Sequence, residues 1–120
     1  MNWVAVGAVW GFLAVALGAF GAHGLRSRAG EQALAWWNTG AHYQLAHAVA
    51  IVLVGLLRLQ TGRGDVAGWA FVLGSLVFSG TLYAMALGAP RWLGAVTPIG
   101  GLGMLAGWLA LAFAARGLVR

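Results

Sequence analysis

The sequence predicts an all-α membrane protein, a single domain over residues 1–120 with four transmembrane helices in a compact left-handed bundle. Three observations carry that reading. Hydrophobic residues make up 62% of the 120, and only seven basic and two acidic side chains are present, too little polar surface for a soluble domain of this size. Four apolar stretches each approach the ~20 residues that cross ~30 Å of hydrocarbon. Small residues also recur at heptad spacing in every stretch, which suits helices that approach closely in lipid at shallow crossing angles.

The first span covers about residues 3–22. Its "AFGA" loosely resembles a signal-peptide cleavage site, but no basic residue precedes an apolar run that is also too long, so a retained first helix is expected. Gly7, Gly11, Ala14, Gly18 and Gly21 form its small stripe. The link "HGLRSRAGEQALAWW" becomes helix-favouring from Glu31, and an interfacial turn with Trp36 and Trp37 at headgroup level is expected to run into the second span. That span covers about 38–57, with Ala41, Ala48 and Gly55 as its small face. "LQTGRGD" then makes a tight hairpin into the third span, about 66–87, which carries Gly68, Ser75 and Ser79. "GAPR" leads to the fourth, about 92–115, with Gly100, Gly103, Gly107, Ala110 and Ala114. Thr97 before Pro98 is a cap-then-proline start, so this helix either begins at 98 after an irregular turn or begins near 92 and kinks.

Every basic residue is an arginine, at 26, 28, 58, 63, 91, 116 and 120, and all fall in connections or near the chain's end. Charge so placed describes membrane edges, which makes the lipid bilayer the expected partner and argues against nucleic acid. Arg58, Arg63, Arg116 and Arg120 share a side with both termini, against Arg26, Arg28 and Arg91 on the other. The positive-inside rule then favours cytoplasmic termini. No cysteine is present, which excludes disulfides and thiolate chemistry.

The informative stretch is "GAHYQLAH", residues 40–47, which leads directly into "AVAIVLVGLL". The purely apolar part is too short to cross the hydrocarbon, so His42 and His47 are drawn into the membrane. With entry at Asn38 and about 1.5 Å per residue, His42 lies roughly 6 Å deep and His47 roughly 13 Å, close to the midplane. The same ruler run from Leu87 sets Tyr83 level with His42 and Ser79 level with His47, with Thr81 nearby. His23 and Thr97 sit on the same rim. Intramembrane polarity is thus expected in the half of the bundle facing the loop between spans one and two, with the other half dry. Polar groups left unpaired in hydrocarbon cost several kcal/mol, so a polar pocket closed at the midplane is expected, lined by His23, His42, Tyr43, Gln44, His47, Ser79, Tyr83 and Thr97.

No metal site is expected. His42 and His47 are five apart and project about 140° from each other, whereas chelation from one helix face wants four. Glu31 and Asp65 lie outside the expected spans, so anionic ligands are missing too. The same shortage argues against an enzyme: no buried carboxylate pair exists for acid and base work, and the glycines lack a phosphate loop's lysine. No cofactor is implied. Coupled transport usually relies on an intramembrane carboxylate, so any transport would be passive.

"GAFGAHGL", "WNTGAHYQLAHA", "FSGTLYAMAL" and "RWLGAVTPIGGLGMLAGW" together resemble the small bacterial inner-membrane proteins catalogued as domain of unknown function 423, related to the eukaryotic transmembrane protein 256. The likeness runs collinearly over nearly the whole chain. It implies a four-span protein of the bacterial cytoplasmic membrane and carries no biochemical activity. Its signature segments include His23, His42, Gln44, His47, Ser79, Tyr83, Thr97 and Pro98.

Two functional readings follow. The first is a binding or permeation module for a small polar ligand, with His47 as a titratable gate. The second is a structural or accessory subunit that docks onto itself or onto larger membrane machinery through its Gly and Ala faces. Beneath both lies a plainer possibility, that the polar groups only hold helices together, at about 1 kcal/mol per contact. A homo-oligomer or a membrane-protein partner is expected, because four helices this small enclose little room for a pore.

Overall fold

The computed structural model describes residues 1–118; Arg120, counted above for orientation, lies outside the described residues. Helix α1 spans Trp3–Phe20 and continues as a π-helical turn over Gly21–Leu25. Asn2 caps its start, the side-chain oxygen accepting from the Ala5 amide at 3.0 Å, which satisfies one of the free amides there. Helix α2 spans Glu31–Thr61, α3 Asp65–Ala86 and α4 Thr97–Ala114. The four expected spans are present, and each is long and apolar enough to cross a membrane.

The ends differ in ways the backbone explains. Helix α2 starts at Glu31 and runs without a break into the second span, as the expected interfacial turn would, because no proline interrupts the stretch after Gly30 and Glu31 supplies an acidic group where the helix dipole favours one. Its 31 residues make a rod of about 46 Å at ~1.5 Å per residue, so the first turns stand among headgroups. It stops at Gly62, whose φ of 71° is left-handed and whose amide bonds the Arg58 carbonyl, a conformation glycine adopts without strain. The open question at α4 resolves toward the later start: Arg91–Ala95 forms a separate 3-10 turn, and Pro98 sits in the first turn of α4, where its missing N–H is no loss.

Helices pack in chain order, α1 on α2, α2 on α3 and α3 on α4. The inner pair carries the core: 56% of the apolar window of α2 and 39% of that of α3 are buried, against 17% for α1 and 22% for α4. Trp3, Ile51, Val54 and Phe71 form the largest buried cluster, with Ala50 and Ala67 filling between them.

The small-residue stripes are the contact seams. Gly7 faces the Val52 backbone and Gly55 the Val4 backbone, joining α1 to α2. A Cβ on Gly74 would lie 2.6 Å from the Met104 amide nitrogen, and Gly100 meets the Phe78 backbone, joining α3 to α4. Other glycines make room for rings: Gly21 for Trp37, Gly68 for Trp3 and Gly107 for Phe71. Close backbone approach of this kind is how helices gain dispersion energy where lipid competes equally for apolar surface.

Candidate functional site: the polar cross-links of the second helix

On α2, Gly40, Ala41, Gln44, His47, Ala48 and Ile51 are all buried; steps of three and four keep them on one side of the rod. Gln44 is only 1% exposed. Its Nε2 donates to the Trp10 carbonyl of α1 at 3.1 Å, and its Oε1 accepts from the Tyr83 hydroxyl of α3 at 2.7 Å. One amide therefore ties three helices. The Ser79 hydroxyl donates to the Gly40 carbonyl at 2.7 Å, and the Trp37 indole donates to the Leu17 carbonyl at 2.7 Å. Deeper in the bundle the Trp10 indole donates to Ser75 Oγ at 2.9 Å, while that hydroxyl donates to the Phe71 carbonyl one turn back at 2.6 Å.

His47 lies on the other flank of the same stripe. Its Nδ1 is 2.7 Å from the Tyr43 carbonyl, and Nε2 accepts from the Trp108 indole of α4 at 3.0 Å. A carbonyl can only accept and an indole N–H can only donate, so the two partners assign the neutral tautomer with hydrogen on Nδ1. The ring also packs edge-on against Trp108, with centroids 5.7 Å apart. Helices α3 and α4 are joined separately by the Thr81 and Thr97 hydroxyls, 2.6 Å apart. Among the described residues no buried side-chain nitrogen or oxygen lacks a hydrogen-bond partner.

Space near these groups is mainly apolar. A small cavity of about 140 Å³ touches Gln44, Ser79 and Tyr83 but is walled by Leu13, Leu17 and Leu76. A larger groove, about 490 Å³, runs between α2 and α4 and is lined by Tyr43, His47, Phe78, Pro98, Leu102 and Trp108.

The expected single pocket is thus divided. Gln44, Ser79 and Tyr83 come together at the junction of α1, α2 and α3. Tyr43 and His47 border the groove toward α4, and Thr97 pairs with Thr81. His23 and His42 join neither group, since both are exposed. His42 lies about 200° around the helix from Gln44, which turns it away from the stripe. The depth pairing also shifts: Tyr83 packs on Gly40 and reaches Gln44, within a turn of His42 on either side, whereas Ser79 reaches Gly40, about two turns from His47. Trp37, expected at headgroup level, is buried between α1 and α3, its ring 4.6 Å from that of Tyr83. The rim nearer the termini carries a polar cluster of its own. Asp65 Oδ1 accepts from Arg58 Nε and the Trp3 indole, each at 2.8 Å.

Sequence reasoning passed over four donors, the indoles of Trp3, Trp10, Trp37 and Trp108, and treated Ser75 as a packing residue. A signal was available: the chain has seven tryptophans, and an indole N–H drawn below the headgroups needs an acceptor. Among the described residues no group of three or more His, Asp or Glu side chains converges as a metal site would require.

Fold and cross-links define a multi-pass membrane protein whose interior polarity serves contacts between helices. The chain belongs to the family described as protein of unknown function (DUF423), whose model matches residues 17–101. A UPF0382 membrane protein of Staphylococcus haemolyticus is 40% identical, with 90% of this chain and 89% of the relative covered. The UPF0382 membrane protein YwdK of Bacillus subtilis is 39% identical, covering 93% and 94%. The UPF0382 inner membrane protein YgdD of Escherichia coli is 42% identical, covering 94% and 88%. No solved structure matches the chain.

Proposed function

We propose that this protein is a non-enzymatic structural or accessory component of the bacterial inner membrane, working through its outer helix faces and carrying no polar solute through its interior. The observation that supports this reading is that Gln44, His47, Ser79 and Tyr83 have each found a partner within the protein. A permeation path needs polar groups that exchange water and solute. Here those groups are occupied by protein partners, and the space beside Gln44, Ser79 and Tyr83 is walled by leucine. The lightly buried outer faces of α1 and α4 leave room for a second copy or a larger membrane protein.

The test is flux against assembly. Reconstituted in liposomes, the protein should leave proton and small-solute leakage at the level of empty vesicles, and His47→Ala should not change it. Crosslinking in native membranes should trap the chain in a complex. Saturable leakage abolished by His47→Ala would refute the proposal.

A second reading is favoured by the groove between α2 and α4. Its apolar walls and mid-membrane His47 and Trp108 suit a membrane-soluble ligand better than the small polar one expected from sequence. Recovery of one lipophilic molecule per chain, lost in Trp108→Ala, would support this reading over the first.

A further inference from the structure

The end of the molecule that carries both termini holds a cavity of about 360 Å³ between the α2–α3 loop and the last turn of α4. Arg63 and Arg116 line it, both exposed, together with the apolar Val66, Ala67, Ala110 and Phe113. We propose that this cavity binds the headgroup of an anionic phospholipid, with the two guanidiniums on the phosphate and an acyl chain lying along Val66 and Phe113.

Charge complementarity carries the argument. Among the described residues the one salt bridge joins Arg58 to Asp65. Asp65, the cavity's carboxylate, therefore already has a cation, and Trp3 donates to the same oxygen. Arg116 stacks over Phe113, 3.7 Å from the ring centroid to Cζ, and spends a single N–H on the Phe113 carbonyl at 2.7 Å. Its other donors make no hydrogen bond among the described residues, and an arginine fork matches a phosphate's oxygens. The guanidinium of Arg63 comes beside Gly117, its Nη2 3.5 Å from where a Cβ there would sit, so the α2–α3 loop reaches the residue after Arg116. Two guanidiniums lining one cavity, with Asp65 bonded to Arg58 and Trp3 and no other carboxylate in the lining among the described residues, attract an anion. The apolar walls and the position at the end of all four spans select an anion attached to acyl chains. The groove toward α4 has no such charge.

Native mass spectrometry of the detergent-purified protein, titrated with phosphatidylglycerol or with phosphatidylcholine of matched chains, tests the site. The expected result is one phosphatidylglycerol per chain, retained about tenfold better than phosphatidylcholine, since the arginine pair adds to the general attraction of basic residues for anionic lipid. Arg63→Gln with Arg116→Gln should remove the preference, while Arg26→Gln with Arg28→Gln at the opposite end should keep it. Arg63→Gln alone, in an exposed loop, should weaken retention severalfold and serves as the readout if the double variant misfolds. Equal retention of the two lipids, or an unchanged preference in Arg63→Gln, would overturn the site. Displacement by inorganic phosphate at equal concentration would overturn its assignment to lipid.

Discussion

Gln44 and His47 are three residues apart on one helix, both buried and both bonded to a tryptophan-bearing neighbour, yet their surroundings differ. Gln44 is enclosed by α1 and α3, and both ends of its amide are used across helices. His47 has one nitrogen bonded within its own helix and the other across to α4, and a groove open to lipid passes beside it. The comparison teaches that polarity in a span has two uses here. On the side of Gln44 it locks three helices into one register. On the side of His47 a single bond ties α2 to α4, next to space that something else can fill.

The largest break in this comparison comes from the seam that needs no polar group. Gly74→Leu would drive its side chain into the α4 backbone at Met104, and we expect about 3 kcal/mol of destabilisation or loss of the folded form, read by thermal unfolding in detergent. Gly101→Ala, which meets only Phe78 at ordinary contact distance, should be nearly silent. Next comes Gln44→Leu, which leaves the Tyr83 hydroxyl unpaired in the interior; the expected loss is about 1–2 kcal/mol. A double-mutant cycle with Tyr83→Phe should recover a coupling of about 1 kcal/mol. His47→Ala removes one interhelical bond, so about 1 kcal/mol is expected, with α4 rather than α1 loosened in hydrogen exchange. Smallest are His23→Ala and His42→Ala, each expected within about 0.5 kcal/mol of the parent in the same unfolding assay because neither ring holds helices together.

The spans were legible because a membrane allows few solutions: an apolar run of about 20 residues must be a helix, and its small residues mark the seams. The start of α4 was ambiguous because Trp92 and Leu93 are apolar enough to extend it; only the 3-10 turn before Thr97 decides. Depth told which residues enter the membrane but not which way they face. His42 and His47 look equivalent by hydropathy, and their fates diverge through 140° of helical rotation. The tryptophans were hidden for another reason. Trp36 and Trp37 read as headgroup residues and the other rings as apolar bulk, while four of the seven spend their N–H on Asp65, Ser75, His47 or the Leu17 carbonyl.

The central claim is that Gln44 and His47 of α2 are bonded within the protein and shielded from water. The chain has no cysteine, so single Gln44→Cys and His47→Cys variants can be probed in intact membranes with a water-soluble maleimide. Arg26→Cys and Arg63→Cys serve as controls for the two membrane surfaces. The account predicts that 26 and 63 label from opposite sides while 44 and 47 stay unmodified until the protein is unfolded. Rapid labelling at 44 or 47 in the folded protein from either side would reveal a water-filled vestibule and contradict it.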